Sequence, residues 1–417
     1  MKILVIGAGI GGLTTALSLA KAGFEVEVYE SSAEIKALGV GINILPHAIR
    51  VLTDLGLLDE LLKIGVQTRE LCYFNKFGQL IWREPRGKFA GYIWPQLSVH
   101  RGALMMILLN AVRNAIGADH IHIGHRLKSC EENNGRVVAT FIVKGNDEKL
   151  VAAEGEVLIG ADGIHSAVRR QFYPDEGIPK FSGIILHRGM TMGKPFLSGS
   201  TMIMAGSVDQ KFIAYPISDE IDENGNQLIN WIADLRVGPD GNILRDWNRT
   251  ADKQKLLSAF ASWKFDWLDA PGLIAGADAI YEFPMSDRDP LPRWSFGRIT
   301  LLGDAAHPMY PIGSNGASQA ILDAEILTES LQNGDVVAAL QQYEHIRLPQ
   351  TAAIIMQNRQ MGPEQVMEIV AERAPNGFSD LYDVISRDEL EEIAARYKKI
   401  AGFEKEELNA KERKAQS

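Results

Sequence analysis

Apolar and polar positions alternate along this chain in two registers, and the change between them divides it. Ile3-Leu4-Val5-Ile6 is an unbroken apolar run, as expected of a strand buried on both faces in a parallel sheet. Leu13, Ala16, Leu17 and Ala20 then recur at helical spacing, and Gly23 closes that helix as a C-terminal cap. Glu25 to Glu30 alternates like a second strand, so the chain opens with a βαβ unit. Helical patterning returns from Leu45 to Leu62, with a stop at Gly56, and from Arg101 to Ile116. Between these, Cys72 to Ser98 is aromatic-rich and strand-like, and further on Val137–Val143 and Val157–Ile159 read as strands.

From about residue 180 to 285 the pattern shortens. Thr201–Ala205, Lys211–Tyr215 and Leu228–Asp234 read as strands separated by turn residues such as Asp222-Glu223-Asn224-Gly225-Asn226, which predicts an antiparallel sheet. Ile299-Thr300-Leu301-Leu302 then restores the buried parallel type. The fold expected is α/β: a discontinuous, Rossmann-like nucleotide domain over 1–70, 99–178 and 286–350, and an antiparallel-sheet domain over 71–98 and 179–285. Residues 351–417 form a helical C-terminal segment, whose charged end from Phe403 to Ser417 reads as a frayed helix or a disordered tail.

A length of 417 residues suits two domains of ~100–200 residues each. With 43 basic against 53 acidic residues and no Lys/Arg stripe, a nucleic-acid partner is not expected. Cys72 and Cys130 are too few for a disulfide framework and lie in no metal-binding spacing, so no metal is expected. The apolar start ends at Ile6, too short for a signal peptide, and no run reaches the ~18 residues a membrane span needs. The expectation is a cytoplasmic enzyme of a small molecule, without stable membrane association, as a monomer or a homodimer.

Three segments carry chemistry. Gly7-Ala8-Gly9-Ile10-Gly11-Gly12 is a G-x-G-x-x-G, in which Gly7 permits the tight turn, Gly9 lets a pyrophosphate approach backbone, and Gly12 lets helix and strand pack closely. The anion would rest on the helix N-terminus. Glu30 ends the second strand where a carboxylate accepts from ribose hydroxyls, and it disfavours a 2′-phosphate, leaving FAD or NAD. The second segment, Ile159 to Arg169, contains Asp162-Gly163; the third, Gly303 to Pro311, contains Asp304 and continues through Gly313 and Gly316. Each acid follows an apolar strand and so lies at a carboxyl end, where open α/β sheets bind ligands. A single such acid is more often a helix cap, a reading that loses ground once both occur in this order.

Together the three segments resemble the class A flavoprotein monooxygenases, the family of para-hydroxybenzoate, salicylate and phenazine hydroxylases, over residues 1 to about 350. Similarity is greatest to the phenazine hydroxylase branch, through Leu38-Gly39-Val40-Gly41-Ile42-Asn43, Val99-His100-Arg101-Gly102 and Asp287-Arg288-Asp289-Pro290-Leu291-Pro292. The resemblance implies that Gly7, Gly9, Gly12 and Glu30 hold the ADP half of FAD, with Arg101 at the phosphate and ribitol region and Asp304 on the ribitol. Asp162 and Gly163 match a motif associated with FAD and NAD(P)H. Pro311, Gly313, Gly316 and Ala317 belong to the turn at the flavin. Ser314 and Ser318 stand where many relatives carry Gln or Asn, so backbone would replace side chain at the pyrimidine edge. The helix marked by Ala317, Ala320, Ile321, Ala324, Leu327 and Leu331 would present its N-terminus to the flavin and stabilise the negative charge of the reduced form.

The implied reaction uses NAD(P)H to reduce FAD and dioxygen to form a flavin C4a-hydroperoxide, from which one oxygen passes to an aromatic or N-heteroaromatic ring. On the same resemblance Tyr215 handles a proton, Pro308 shapes the oxygen pocket, and His307 is either a hydrogen-bonded motif residue or a proton donor. Asn43, Arg188 and Tyr215 are the substrate candidates. Arg188 suits a carboxylate, against the commoner fate of a strand-edge arginine at the surface, and His187 is a weaker candidate. Trp231, Trp263, Trp267 and Phe283 either wall an aromatic pocket or pack a core. Competing readings are an NAD-dependent dehydrogenase, which leaves the Asp304 segment unexplained, and a halogenase, whose W-x-W-x-I-P is not matched by Trp263-Lys264-Phe265-Asp266-Trp267. A lipid-type flavin reductase and a non-catalytic flavin-binding module complete the alternatives.

Overall fold

In the computed structural model, which describes residues 1–37, 39–143, 149–238 and 249–415, the run Lys2–Ile6 is the central strand of a five-stranded parallel sheet. Leu38 and the last two residues of the tail, both part of the sequence readings, lie outside the described residues. Val157–Gly160 and Glu25–Tyr29 flank the central strand, with Ile299–Leu301 and Ile121–His122 at the edges. The helix Ile10–Lys21 packs against the helices Arg101–Ile116 and Gly316–Gln332. A three-stranded antiparallel sheet, His125–Asn133, Arg136–Val143 and Lys149–Gly155, packs against the same strands, with Phe141 stacked on Tyr29 at 4.3 Å between ring centroids. Layers on both sides are why Ile3, Leu4 and Val5 can all be apolar in succession.

The second large sheet has eight strands. In spatial order they are Arg249–Thr250, Tyr281–Asp287, Lys180–Gly193, Gln227–Arg236, Gln210–Ile221, Thr201–Gly206, Glu70–Phe74 and Leu80–Pro85. One pair departs from the antiparallel expectation: Thr201–Gly206 runs parallel to Glu70–Phe74. Those two strands come from distant parts of the chain, and a long crossover does not impose the reversal that a hairpin does.

Strand periodicity sorts this sheet into two faces. Cys72, Ile203, Phe212 and Trp231 point to a core beneath the helices Lys253–Ala259 and Ala270–Gly276. Leu71, Tyr73, Met202, Met204, Ile213, Tyr215 and Ile232 point the other way, onto the helix Gln365–Arg373 and its neighbours. For three of the four aromatic candidates this selects core packing over the pocket wall. Trp231 is fully buried on the far face with its Nε1 donating to Thr191 Oγ1 at 3.0 Å, Trp263 packs in the same core, and Trp267 stacks on Phe74. Their large apolar area, each side chain worth roughly 1.5–3 kcal/mol when buried, serves packing. Only Phe283 is on the near face.

The tail also differs from expectation. Helices Arg387–Ala401 and Lys405–Ala415 fold back, joined at Gly402 with φ +74°. Phe403 and Leu408 are buried in the main core, Phe403 stacks on His47, and Tyr92 Oη donates to Phe403 O at 2.7 Å. Two apolar side chains in a charged stretch suffice to dock it, a pattern too sparse to stand out as periodicity. A small antiparallel sheet of Gly41–Ile44, Leu97–His100 and Gly65–Gln67, not anticipated from the sequence, packs against the strand Gln210–Ile221 of the eight-stranded sheet.

Candidate active site

The glycine-rich turn is tight because side chains would not fit. Gly7 has φ +105°, and a Cβ there would lie 2.4 Å from Ala161 O; a Cβ on Gly12 would lie 2.0 Å from Gly7 O. At Gly9 a Cβ would meet nothing within 4 Å, so the turn's outer surface faces open space. That space continues into a groove of about 400 Å³ lined by Gly7, Gly9, Glu30, Asp162 and Gly163. Glu30 accepts from Ala8 N at 2.9 Å and Ser32 N at 2.7 Å. Burial alone would raise its carboxyl, but those N–H groups outweigh it and hold the group below the usual range.

Gly9 and Gly163 also border a second cavity, of about 350 Å³, where the remaining motif residues meet: Arg101, Asp304, Pro311, Gly316 and Ala317. Asp304 makes no hydrogen bond among the described residues and is reached by solvent only because it projects into this space. Its enclosure pushes the carboxyl above the ordinary range, against the pull of His307 and Arg101. The helix Gly316–Gln332 begins at the same wall, and Asn315 makes no side-chain cap, leaving its first N–H groups for a ligand. Gly313 (φ +69°) and Ser314 (φ +58°) both take left-handed conformations to turn the chain into it. The residues fit the flavin dinucleotide that the sequence implies: a side-chain-free turn, an unengaged carboxylate, and a helix N-terminus along one continuous groove.

Asp162 caps a helix and also lines the groove. Its Oδ2 accepts from Ala167 N at 2.6 Å and Val168 N at 3.3 Å, capping a short helix, while its buried Oδ1 has no partner. His307 is buried with Nε2 hydrogen-bonded at 2.5 Å to Asp323 Oδ2, and Asp323 Oδ1 accepts from Arg347 Nε at 2.7 Å. Asp323 Oδ2 also takes Gly303 N at 3.0 Å, so this network anchors the turn that carries Asp304. Burial would raise Asp323, but His307 and Arg347 bring it down to about 2. Pro308 is buried and does not line the cavity; Met309 and Pro311 do.

At the far end of the cavity stand Asn43, Arg188 and Tyr215. Tyr215 is buried, which raises its phenol well above the usual range against Arg188, Asn43 and Asn230, all close enough to oppose the shift. Asn43 Oδ1 accepts from Ser98 Oγ at 2.7 Å, and Asn230 Oδ1 from Gly41 N at 2.6 Å. Arg188 occupies an interior strand, not an edge, between Ile232 and Tyr281. Its guanidinium lies 5.4 Å from the Phe283 ring centroid, no carboxylate is within ion-pair distance among the described residues, and its buried Nε has no partner. His187 points away from the cavity, its Nδ1 hydrogen-bonded to Ala233 O at 3.0 Å.

Several site residues carry no motif. Met202, Met204, Ile213 and Ile232 form the apolar wall, recognisable beforehand only as alternate strand positions. Tyr397, from the C-terminal helix, accepts from Asn315 Nδ2 at 2.9 Å and shares its own proton between Ile312 O (3.1 Å) and Asn358 Oδ1 (2.9 Å). It pins the Gly313 turn, where a Cβ would fall 2.1 Å from the Tyr397 hydroxyl oxygen.

Comparison with known proteins matches residues 1–194 and 277–358 to the FAD binding domain family. The chain is 47% identical over 361 residues to phenazine 1,6-dicarboxylic acid hydroxylase of Lysobacter antibioticus, covering 86% of this chain and 89% of that protein. It is 32% identical to 6-hydroxynicotinate 3-monooxygenase of Bordetella bronchiseptica, covering 85% and 89%. Among solved structures, HpxO of Klebsiella pneumoniae complexed with FAD and uric acid superposes with a TM-score of 0.75 at 24% identity, covering 97% of this chain and 96% of that one.

Proposed function

The chain belongs to the FAD binding domain family, among its flavin-dependent aromatic hydroxylases, and from that premise we propose that its substrate is an N-heteroaromatic ring bearing a carboxylate. One observation carries the reading: Arg188 lines the cavity as a cation with a buried, unpartnered Nε and, among the described residues, no carboxylate within ion-pair distance. Such a group is costly unless a ligand completes it, and a carboxylate matches its planar fork. The names of similar proteins agree, among them hydroxylases of phenazine 1,6-dicarboxylic acid, 6-hydroxynicotinate and 3-hydroxybenzoate.

Bound FAD supplies the redox chemistry, hydride uptake from NAD(P)H and activation of dioxygen for transfer to the ring. Gly7, Gly9 and Gly12 admit the pyrophosphate to backbone, and Glu30 takes the adenosine ribose. Arg101 and Asp304 hold the central phosphate and ribitol region, with Asp162 and Gly163 between the two halves of the groove. The turn from Pro311 to Ala317 offers backbone N–H groups and a helix N-terminus to the flavin's electron-rich edge. Arg188 fixes the substrate carboxylate. Met202, Met204, Ile213 and Ile232 bury the ring and keep water from it. Tyr215, held protonated by its burial, keeps a proton at Oη and donates a hydrogen bond to a ring oxygen or nitrogen, beside Asn43 and Asn230.

The test is a panel of rings in carboxylated and uncarboxylated pairs, phenazine-1-carboxylate against phenazine among them. NAD(P)H oxidation and hydroxylated product are measured together. Carboxylated rings should accelerate cofactor oxidation and yield product. Equal turnover of the uncarboxylated partners would remove Arg188 from its role, and absence of any hydroxylated ring would remove the reading as a whole.

A further inference from the structure

Behind Met202, Met204 and Ser314 lies a second pocket whose polar lining no step above uses. Tyr73, Trp82, Arg86 and Gln96 line it, and Tyr397 and Lys398 close it from the C-terminal helix. Tyr73 Oη, Trp82 Nε1, Arg86 Nε and Gln96 Oε1 are all buried without a hydrogen-bond partner. Tyr73 is 1% exposed, Gln96 2% and Arg86 9%. A buried polar atom of this kind is costly when left unpaired, so four around one pocket mark a place that receives a polar occupant. Three of the four are donors, and the one carboxylate on the lining, Glu84, is already paired with Arg86 and Lys398, which leaves an excess of donors for an occupant with acceptor oxygens.

The charges agree. Glu84 Oε2 pairs with Arg86 Nη2 at 2.8 Å, and its other oxygen pairs with Lys398. Two cations therefore share one carboxylate. The neighbouring Lys211, Asp234 and Glu364 pair among themselves, and burial raises Glu364 toward its neutral form.

Strand register connects the pocket to the cavity. Arg188 lies opposite Ile232, Ile232 opposite Ile213, Ile213 opposite Met204, Met204 opposite Tyr73 and Tyr73 opposite Trp82, one row across one sheet face. The row is polar at both ends and apolar in the middle. The strands of Arg188 and Tyr73 are four spacings apart, ~19 Å at ~4.8 Å each, and both residues project from the same face. An extended, fused-ring molecule with an oxygen-rich group at each end matches that profile.

We infer that this pocket is a second carboxylate subsite of the substrate cavity, in which Arg86, Tyr73 and Trp82 receive the end of the substrate opposite to the one held by Arg188. The inference rests on the hydroxylase reading above. The free space, about 20 Å³, admits a water molecule as it stands. A carboxylate enters when the unbranched side chains of Met202 and Met204 rotate aside. These residues then select substrates by length and by a second acid group.

The test uses the FAD-loaded protein and the change in flavin absorbance on titration with phenazine-1,6-dicarboxylate and with phenazine-1-carboxylate. The wild type should bind the diacid about tenfold or more tightly than the monoacid, as expected for hydrogen bonds to a charged group. Arg86→Gln should bring that ratio near one. Tyr73→Phe, which keeps the packing, should lower it about threefold and covers the case in which the Arg86 variant does not fold. A ratio near one in the wild type, or a ratio unmoved in Tyr73→Phe, overturns the subsite while leaving the hydroxylase reading intact. If neither acid perturbs the flavin, the carboxylate reading of the substrate falls and the subsite falls with it.

Discussion

At the dinucleotide end of the groove the walls come from short contiguous stretches in which backbone and glycine do most of the shaping. At the ring end they come from single side chains, one or two per strand, on segments as far apart as Asn43 and Ile232, with a helix near residue 397 behind them. A site made from backbone geometry admits few substitutions, because the chain itself must take positive φ or close approach. A site made from projecting side chains can be rewritten without disturbing the sheet that carries it. The first kind therefore identifies the cofactor class, and the second holds the difference between one substrate and another.

The sharpest way to break that contrast is Gly12→Ala. A methyl group 2.0 Å from Gly7 O must displace the turn, and the purified protein should lose nearly all bound flavin. Retention of a full flavin complement, read from the absorbance ratio of flavin to protein, would show that backbone closeness is not what secures the cofactor. Arg188→Gln tests the other end. Flavin content should hold, while the dissociation constant for a carboxylated ring rises roughly ten- to a hundredfold, the loss expected for one charge-assisted pair. An equal loss of flavin would mean that the two ends are not separable.

A smaller effect should appear in stability against pH. Asp323 is held down to about 2 from 3.8 by His307 and Arg347. A depressed carboxyl stabilises the fold above its unfolded value and loses that contribution as pH falls through its folded one. About 2 kcal/mol should therefore disappear between roughly pH 4 and 2. Denaturant midpoints across that window should show a slope that Asp323→Asn flattens; an unchanged slope would detach the network from the stability of the Asp304 turn. Tyr397→Phe should have the smallest effect, about 1 kcal/mol, with a modest loosening of FAD. No change in either unfolding or flavin release would leave the C-terminal helix as mere cover.

The same contrast explains what was legible beforehand. Gly7, Gly9, Gly12, Glu30 and Asp304 could be named as candidates because each sits at a fixed offset from a recognisable strand or helix, and the structure brings them to one groove and its turn. Arg188 was visible as a candidate but misplaced at a sheet edge, since strand order is not written in local pattern. For Trp231, Trp263 and Trp267 the sequence left pocket wall and core both open, with core the commoner fate, and the structure makes them core; a strand residue's face depends on register set by distant partners. Tyr397 and the Tyr73–Arg86 pocket gave no signal at all.

By itself, then, the sequence determined the parallel-sheet dinucleotide domain and, through its similarity to a known family, the flavin chemistry, because local spacing dictates turns, helix termini and the glycines between them. Only the tertiary structure decided which face of the eight-stranded sheet lines the cavity, what surrounds Arg188, and that the last helices dock on the core. Those outcomes depend on pairings between residues more than a hundred positions apart, such as Met204 with Tyr73, which no local pattern of apolar and polar residues encodes.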